Sequence, residues 1–369
     1  MKINKLLLIL FLIFLISGCG KKQEKVVNIG VIMPLSGAGA ELANQHLKGI
    51  EFAVDELNSR QNSIKYKLTI EDDQNIPQYA VNALQKLEEN ENIDLVITVI
   101  SNSSLAIAPI INNNSKSILF ANCGHPTITT MYKRTFRNFP STKLEVNSIS
   151  KFAKDYLQLN SISMLYIDDA YGIGALDMVK IEFPKYNINL ITAESYGKLA
   201  TDSRASIIKV LSKKPEAIYV YGYGLSTATV LNQLHELGYK GKLLGTYNFS
   251  QPPISTISKN SIDGAYFTVP FFDKTGKDSS KLFWEMYSNK YHEPPLWNTV
   301  VEYDAIMIFD KAIIHSSKDS KDIITSLVDI GDYKGIGGLY KYDRVNNEWL
   351  HPMDVAKYEK GNIKYMDGN

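Results

Sequence analysis

The spacing of apolar positions changes from strand-like to helix-like between residues 27 and 59, and this segment organises the first part of the chain. Residues 27–32 form a short apolar run with β-branched members, which is typical of a strand covered on both faces. Proline and glycine interrupt the run at 34–39, and apolar residues then recur at helical spacing from Leu47 to Leu57. A loop at such a junction favours ligand binding in an open α/β sheet, because backbone N–H groups point into the crevice.

Strand and helix patterns alternate along most of the remaining chain. Apolar runs that end in small polar loops predict strands at 94–100, 117–121, 162–167 and 217–221, with helical repeats between them. Alternation with short connections indicates parallel sheets. The pattern pauses near residues 136–145, and a second series of similar style follows. We therefore expect an α/β protein with two lobes.

The first 18 residues are expected to be a secretory signal peptide. Positive residues precede an apolar run at 6–16, which is shorter than the roughly 20 residues of a membrane span. The sequence at 16–19 resembles a bacterial lipobox, in which cleavage leaves Cys19 as the lipid-bearing first residue. Residues 19–26 would then be a lipidated tether, holding the protein outside the cytoplasm on the periplasm-facing or outer cell surface. An ordinary signal peptide with a chance cysteine is the alternative.

Composition excludes several classes of function. The 40 basic and 39 acidic side chains nearly cancel, which argues against a nucleic-acid partner. With Cys19 lipidated, Cys123 stands alone, so no intramolecular disulfide is expected, and packing is favoured over reactivity. The six histidines lack metal-ligand spacing, and no complete dinucleotide loop, phosphate loop or nucleophile elbow occurs. We predict no metal, no cofactor and no enzymatic activity.

Eight short motifs occur in a characteristic order along the mature chain. They lie at 29–32, 34–37, 49–58, 72–73, 136–137, 168–172, 302–305 and 337–343. Together they resemble the leucine/isoleucine/valine-binding type of substrate-binding protein of ABC transporters, a lipoprotein in this case. The resemblance covers residues 27 to about 365.

This resemblance implies a type I periplasmic binding protein fold, with two Rossmann-like lobes and parallel sheets. Three crossovers would form the hinge, near 140–141, 269–270 and 331–335. The lobes would close on a small ligand, with closure favoured by contacts available only in the closed form. The expected lobes are residues 27–140 with 270–331, and residues 141–269 with 332–369.

The resemblance also implies the function of an extracytoplasmic solute-binding protein. The ligand would be small and polar or amphipathic, such as a branched-chain amino acid, an amide or a related molecule. The protein, a monomer, would deliver this ligand to an ABC permease. The alternative is a lipoprotein of the same fold that acts as a ligand sensor or as a regulator of an envelope enzyme or receptor.

Ligand-binding positions follow from the same resemblance. Loops of the first lobe would bind a carboxylate through hydroxyl and N–H groups, and tyrosines of the second lobe would cover the ligand. The first-lobe candidates are Ser36, Gly37, Ala38, Asn102, Ser103, Gly124 and His125. The second-lobe candidates are Tyr171, Tyr223 and Tyr247. Helix capping is the alternative role for Asn102 and Ser103.

One position departs from the family pattern. Amino-acid binders of this type carry an acid in a second-lobe loop that pairs with the ligand ammonium, whereas residues 245–248 contain no carboxylate. A buried, unpaired ammonium would be costly. Either Asp168, Asp169 or Glu302 serves instead, or the ligand lacks that ammonium. Amides, aromatic acids and nucleoside-like molecules therefore stay open.

Overall fold

The computed structural model describes residues 24–61, 63–270 and 278–366. The expected signal peptide, Cys19 and residues 19–23 of the tether lie outside the described residues. Within the described ranges, no helix has the length and apolar character needed to cross a membrane.

The elements alternate along the chain as the sequence predicts. The strands are β1 Lys25–Met33, β2 Ile64–Asp72, β3 Leu95–Thr98, β4 Ile118–Ala121, β5 Thr135–Phe136, β6 Ser161–Ile167, β7 Asn189–Tyr196, β8 Ala217–Tyr221, β9 Lys242–Gly245, β10 Tyr266–Pro270, β11 Tyr333–Gly335, β12 Gly338–Asp343, β13 Glu348–Leu350, β14 Met353–Glu359 and β15 Asn362–Tyr365. The helices are α1 Ala40–Ser59, α2 Pro77–Asn90, α3 Ser101–Asn114, α4 Ile128–Met131, α5 Thr142–Asp155, α6 Ala170–Glu182, α7 Arg204–Ser212, α8 Gly224–Glu236, α9 Ile254–Ile257, α10 Asp278–Tyr291, α11 Trp297–Asp319 and α12 Ile323–Asp329.

The first lobe is built on a parallel five-stranded sheet in the order β2-β1-β3-β4-β5. Val31 of β1 belongs to one hydrophobic core, and its neighbour Ile32 belongs to a second core that includes residues of α2 and α3. Because successive side chains point to opposite faces of a sheet, both faces are covered. This arrangement explains why β1 is apolar at consecutive positions rather than at alternate ones.

The second lobe is built on a seven-stranded sheet in the order β15-β14-β10-β9-β8-β6-β7. Strands β6 to β10 pair in parallel, whereas β14 and β15 are added as an antiparallel edge. The prediction of an α/β protein with two Rossmann-like lobes and parallel sheets is confirmed.

The chain passes between the lobes at three places. It leaves the first sheet after β5 and returns after β10, close to the expected positions. The third passage follows β13, because β13 is still attached to the first lobe by a parallel bridge between Arg137 and Glu348. Trp349 stacks on Phe120 of β4, with ring centroids 6.1 Å apart. The next strand, β14, lies in the second sheet.

The third passage therefore lies at 351–352, later than the expected 331–335. The intervening strands β11 and β12 are held on the first lobe by Asp304 of α11. Its carboxylate accepts hydrogen bonds from the backbone N–H groups of Ile336 and Gly337, at 2.9 and 2.8 Å. Residues 332–350 pack on the first lobe as a result, whereas the sequence-based division assigned them to the second.

Candidate functional site

A cavity lies between the two lobes at the carboxyl ends of both sheets. The space between its atoms, open solvent included, is about 290 Å³. The first lobe and hinge contribute Leu42, Val99, Ile100, Ser101, Cys123, Gly124 and Phe139. The second lobe contributes Tyr171, Tyr223, Tyr247 and Asn248. We call this space the interlobe cavity.

Four of the ten sequence-predicted ligand residues line the interlobe cavity, namely Gly124, Tyr171, Tyr223 and Tyr247. The structure does not bring the other six to its wall. Gly37 and Ala38 line a larger outer cleft nearby, of about 900 Å³ including open solvent. The Ser36 hydroxyl donates to Asp72 at 2.6 Å and thereby orders its own loop.

The remaining three predicted residues have other contacts. Asn102 bridges the lobes, because its Oδ1 accepts from the Ala170 N–H at 3.1 Å. Ser103 is fully buried in the first turn of α3. The carbonyl oxygen of His125 accepts from Arg137 at 2.7 Å, and burial together with the Arg137 charge lowers the pKa of the His125 imidazole.

Sequence reasoning missed Ser101, Cys123, Asn248 and the apolar wall. The wall consists of Leu42, Val99, Ile100 and Phe139. Ser101 follows the apolar run of β3 directly, so its position at a strand end was a usable signal. The apolar residues carried no such signal, because their pattern is the same as that of core residues.

The first-lobe side of the cavity can bind an anion or another hydrogen-bond acceptor. Ser101 begins α3, and the first intrahelical bond runs from Ser104 N–H to the Ile100 carbonyl. The N–H groups of residues 101–103 precede that bond, so they are free of helical partners. Ser101 is 2% exposed, and its buried hydroxyl has no hydrogen-bond partner within the protein. Such neutral donors at the positive end of a helix favour a carboxylate.

Aromatic rings form the second-lobe side and the hinge side. The ring of Tyr171 lies 5.9 Å from that of Tyr223, and Tyr247 packs edge-on against Trp297 at 4.8 Å. Phe139, at the first passage between lobes, contacts Tyr247 at 5.6 Å. Tyrosine combines apolar area with one hydroxyl, so this wall suits an amphipathic molecule.

The sequence as a whole matches a known family model. Residues 26–362 match the model described as periplasmic binding protein. The chain belongs to this family. Its members are solute-binding proteins rather than enzymes, which agrees with the expectation of no enzymatic activity. The resemblance to leucine/isoleucine/valine-binding proteins is also confirmed.

Individual members of the family are similar over nearly their whole length. The Leu/Ile/Val-binding protein BraC3 of Rhizobium johnstonii is 23% identical over 345 residues, covering 91% of this chain and 93% of that protein. A leucine-binding protein of Thermotoga maritima superposes with a TM-score of 0.83 at 23% identity, covering 92% and 98% of the two chains. A Rhodopseudomonas palustris solute-binding protein in complex with benzoate has a TM-score of 0.82 at 16% identity, covering 92% and 95%.

The acids considered as ammonium partners do not line the cavity of this periplasmic binding protein. Asp168 is exposed, and Asp169 caps α6 by accepting from the N–H groups of Tyr171 and Gly172. Glu302 is fully buried, with one oxygen bonded to His46. Within the described residues, the wall of the cavity carries no ionisable carboxylate.

One buried acid lies directly behind the aromatic wall. Both oxygens of Glu145 accept hydrogen bonds, from the Thr268 hydroxyl at 2.7 Å and from the Tyr221 hydroxyl at 2.6 Å. The Tyr247 N–H and the more distant Tyr171 hydroxyl also face it. Burial raises the pKa of the Glu145 carboxyl to about 7, although these hydrogen bonds act in the opposite direction.

Glu145→Gln is expected to change how stability depends on pH. The native pKa lies above the ordinary value of 4.5, so the native state binds more protons between pH 4.5 and about 7. The stabilisation is present below pH 4.5 and is lost as pH rises through 7, on the order of 3 kcal/mol in total. Urea unfolding across this range should show a steeper fall for the parent protein than for the variant. Exposed Glu285→Gln is the control, and identical slopes for all three proteins would contradict the prediction.

Hydrogen bonds between the lobes hold the described structure in a closed form. Asn75 of the first lobe donates from Nδ2 to the Tyr223 hydroxyl at 2.8 Å, and Tyr223 donates to Asp169 at 2.6 Å. Lys198 of the second lobe donates to the Asn75 carbonyl oxygen at 2.8 Å. We call these bonds the Asn75 latch. The bonds that join Asn75 to Tyr223 and to Lys198 exist only when the lobes meet, so they favour closure.

Asn75→Gly is expected to weaken ligand binding about tenfold, because loss of the side-chain part of the latch costs roughly 1–1.5 kcal/mol of closure energy. Asn75 has a φ of 58°, so glycine removes the side chain without straining the backbone. Gln74→Gly is the matched control, since Gln74 is exposed and has a φ of 52°. The measurements are ligand titration calorimetry and small-angle scattering of ligand-free protein, which should show a more open average shape. Unchanged affinity and shape would show that the latch does not control closure.

Proposed function

We propose that this protein captures a small carboxylate-bearing molecule in the interlobe cavity and delivers it to an ABC permease. The observation that carries the proposal is the Ser101 hydroxyl. It is buried, has no partner within the protein, and lies at the amino end of α3 in the cavity wall. A buried hydroxyl without a partner is costly, so a ligand that pairs with it is stabilised by more than its own hydrogen bond.

The rest of the cavity supports an amphipathic ligand of modest size. Opposite the carboxylate position, the apolar wall that includes Leu42, Val99 and Phe139 would cover a hydrocarbon body. The tyrosines of the second lobe would then enclose it. Closure of the lobes therefore excludes water from both ends of the ligand.

Relatives support the transport role. A similar protein of Streptococcus pneumoniae, with a TM-score of 0.81 at 20% identity, is described as a branched-chain amino acid transporter substrate-binding protein in complex with isoleucine. At this identity the likeness extends to the fold. The permease partner, the monomeric state and the ligand of the present chain are therefore part of the proposal.

A thermal-shift screen of small carboxylic acids tests the capture step, because a ligand that binds only the folded state raises the melting temperature. Ser101→Ala should weaken binding of any hit by about tenfold or more, the cost of losing a hydrogen bond to a charged group. Ser103→Ala is the matched control, since Ser103 is equally buried in the same first turn of α3 but lies outside the cavity wall. The proposal would be contradicted if no carboxylate raised the melting temperature, or if both variants lost the same amount of binding affinity.

We also propose that Cys19 carries a lipid that holds the protein on the cell envelope. Buried methylene groups of an acyl chain contribute about 0.8 kcal/mol each to membrane attachment. Cys19→Ser is expected to move the protein from the membrane fraction to the soluble extracytoplasmic fraction. Cys123→Ser, which changes the buried cysteine, should leave fractionation unchanged. A Cys19→Ser protein that still sediments with membranes would refute the anchor.

A further inference from the structure

We infer that the ligand is a hydroxy acid, which presents a neutral hydroxyl where an amino acid presents its ammonium group, and that Asn248 recognises this hydroxyl. The inference rests on the proposed function, because it takes the ligand carboxylate to lie at Ser101. It specifies the class of molecule and the residue that selects it. Three observations on the second-lobe side of the cavity carry it.

The first observation is the free hydrogen-bonding capacity of Asn248. Its Nδ2 donates to the Gly222 carbonyl oxygen at 3.0 Å and faces the Tyr171 hydroxyl at 3.4 Å. Its Oδ1 is buried and has no partner, although Asn248 lies in the cavity wall. The Oδ1 atom of Asn248 is therefore a free acceptor, and a ligand would satisfy it with a hydrogen-bond donor. A single hydroxyl provides that donor.

The second observation is the absence of a charge to match an ammonium. An ammonium group brings a full positive charge and three donors, and its burial without a carboxylate is costly. Among the described residues, those that line the cavity include no acid and no base. An amide oxygen satisfies one N–H but leaves the charge uncompensated. The wall therefore selects against the amino acid and in favour of the hydroxy acid.

The third observation is that the nearby acids lie outside the cavity wall, and that two of them, Glu145 and Asp169, already accept several hydrogen bonds. Glu145 has no exposed surface, and each of its oxygens accepts from a hydroxyl at 2.6–2.7 Å. Asp169 accepts from Tyr223 and from two backbone N–H groups of α6. Asp73 is fully buried beside the first lobe's strand end, where it accepts from the Asn75 N–H. None of the three lines the cavity, so the described structure places no carboxylate where a bound ammonium would lie.

The inference gives Asn248 a role that the family resemblance does not. The family resemblance implies an acid in this loop, whereas residues 245–248 contain none and Asn248 supplies a neutral amide. Asn248 is itself held in place, because its backbone N–H donates to the Thr246 hydroxyl at 3.2 Å. A fixed acceptor makes the site selective for a ligand with a hydroxyl at this position. A ligand without that donor could bind only if the site rearranged, and the rearrangement would cost binding free energy.

The test compares ligands that differ at one group. Leucine, leucic acid and isocaproic acid share a carboxylate and a branched chain, and carry an ammonium, a hydroxyl and a hydrogen at the position in question. Phenylalanine, phenyllactic acid and phenylpropionic acid form the aromatic series. Titration calorimetry on the unmodified protein should rank the hydroxy acid first in at least one series, by about tenfold over each analogue, because only it pairs with the buried acceptor.

Variants at Asn248 provide the second arm. Asn248→Asp should reverse the order and favour the amino acid, whereas Asn248→Ala should abolish the preference for the hydroxy acid over the deoxy acid. Asn232→Asp is the matched control, because Asn232 bonds to Ser261 away from the cavity. If the aspartate variant does not fold, the ranking of ligands on the unmodified protein still decides the question.

The outcomes separate this inference from the proposed function. An amino acid that binds more tightly than its hydroxy analogue overturns the inference and leaves carboxylate capture intact. Mass spectrometry of the compound released from natively purified protein is a second test. An amino group in that compound would also overturn the inference while leaving carboxylate capture intact. If all six acids fail to bind and the released compound carries no carboxylate, the proposed function and the inference both fail.

Discussion

Arg137→Met is expected to lower the free energy of unfolding by about 3–5 kcal/mol, because it leaves a buried carboxylate without its partner. Arg137 is 1% exposed, and its guanidinium forms two bonds to Glu348, one of them from Nε at 2.9 Å. It also donates to the carbonyl oxygens of Cys123 and His125. These carbonyls flank Gly124, so the same side chain that joins β5 to β13 also fixes a loop of the cavity wall.

Two measurements check this prediction. Urea unfolding should show the stability loss, and ligand titration on the remaining folded protein should show weaker binding. Arg134→Met is the matched control, because Arg134 is only half-buried and donates to the Lys116 carbonyl oxygen rather than to a buried carboxylate. Adding Glu348→Leu to the Arg137 variant should restore part of the stability, since it removes the unpaired charge. A loss below about 1 kcal/mol, the range of an exposed ion pair, would contradict the prediction.

Gly49→Ala is expected to destabilise the first lobe by about 1–2 kcal/mol, because overpacking this tight contact costs about 2–3 kcal/mol and the better helix propensity of alanine returns about 1 kcal/mol. Gly49 lies inside α1 at the point where this helix crosses α11. A Cβ there would lie well under 3.0 Å from the Thr299 carbonyl oxygen, which is backbone and cannot rotate away. Helix propensity acts in the opposite direction, because alanine is favoured over glycine by about 1 kcal/mol within a helix. The helices must therefore move apart, and the predicted loss is the balance of the two effects.

The control for this prediction is Gly197→Ala. A Cβ at Gly197 would meet atoms no closer than 3.7 Å, and this glycine does not have a positive φ. The substitution should leave stability unchanged or raise it slightly, because alanine restricts the unfolded chain. Urea unfolding of both variants gives the comparison. Equal stabilities would show that the crossing of α1 and α11 accommodates a methyl group.

The fold could be predicted from the sequence because its main signal is local. The consecutive apolar residues of β1 and the helical stripe of α1 follow from which faces are covered, and periodicity reports this directly. The position of the third passage between the lobes was harder to predict from the sequence. That position depends on Asp304, which binds the backbone N–H groups of residues 336 and 337. These residues lie 32 and 33 positions after Asp304 in the chain, so no local pattern reports the contact.

Some residues of the candidate site could likewise be predicted from the sequence, and others could not. Tyr219, Tyr221 and Tyr223 alternate in the sequence, and of the three only Tyr223 is a sequence-predicted ligand residue. The structure places Tyr223 in the cavity wall and buries the first two completely. By contrast, Asn102 and Ser101 are adjacent at the start of α3, and periodicity does not distinguish which faces the ligand. That choice depends on the turn of the helix and on the approach of α6 from the other lobe.

By itself, the sequence determined the α/β class, the two lobes, the family and the edge of each sheet where the interlobe cavity lies. These properties depend on the order of elements and on the periodicity of apolar residues, which are written along the chain. Only the tertiary structure decided which side chains meet in the interlobe cavity, that Asn248 has a free acceptor there, and that Glu145 is enclosed behind the tyrosines. Contacts between residues far apart in the chain set burial and hydrogen-bond pairing, and no local pattern encodes them.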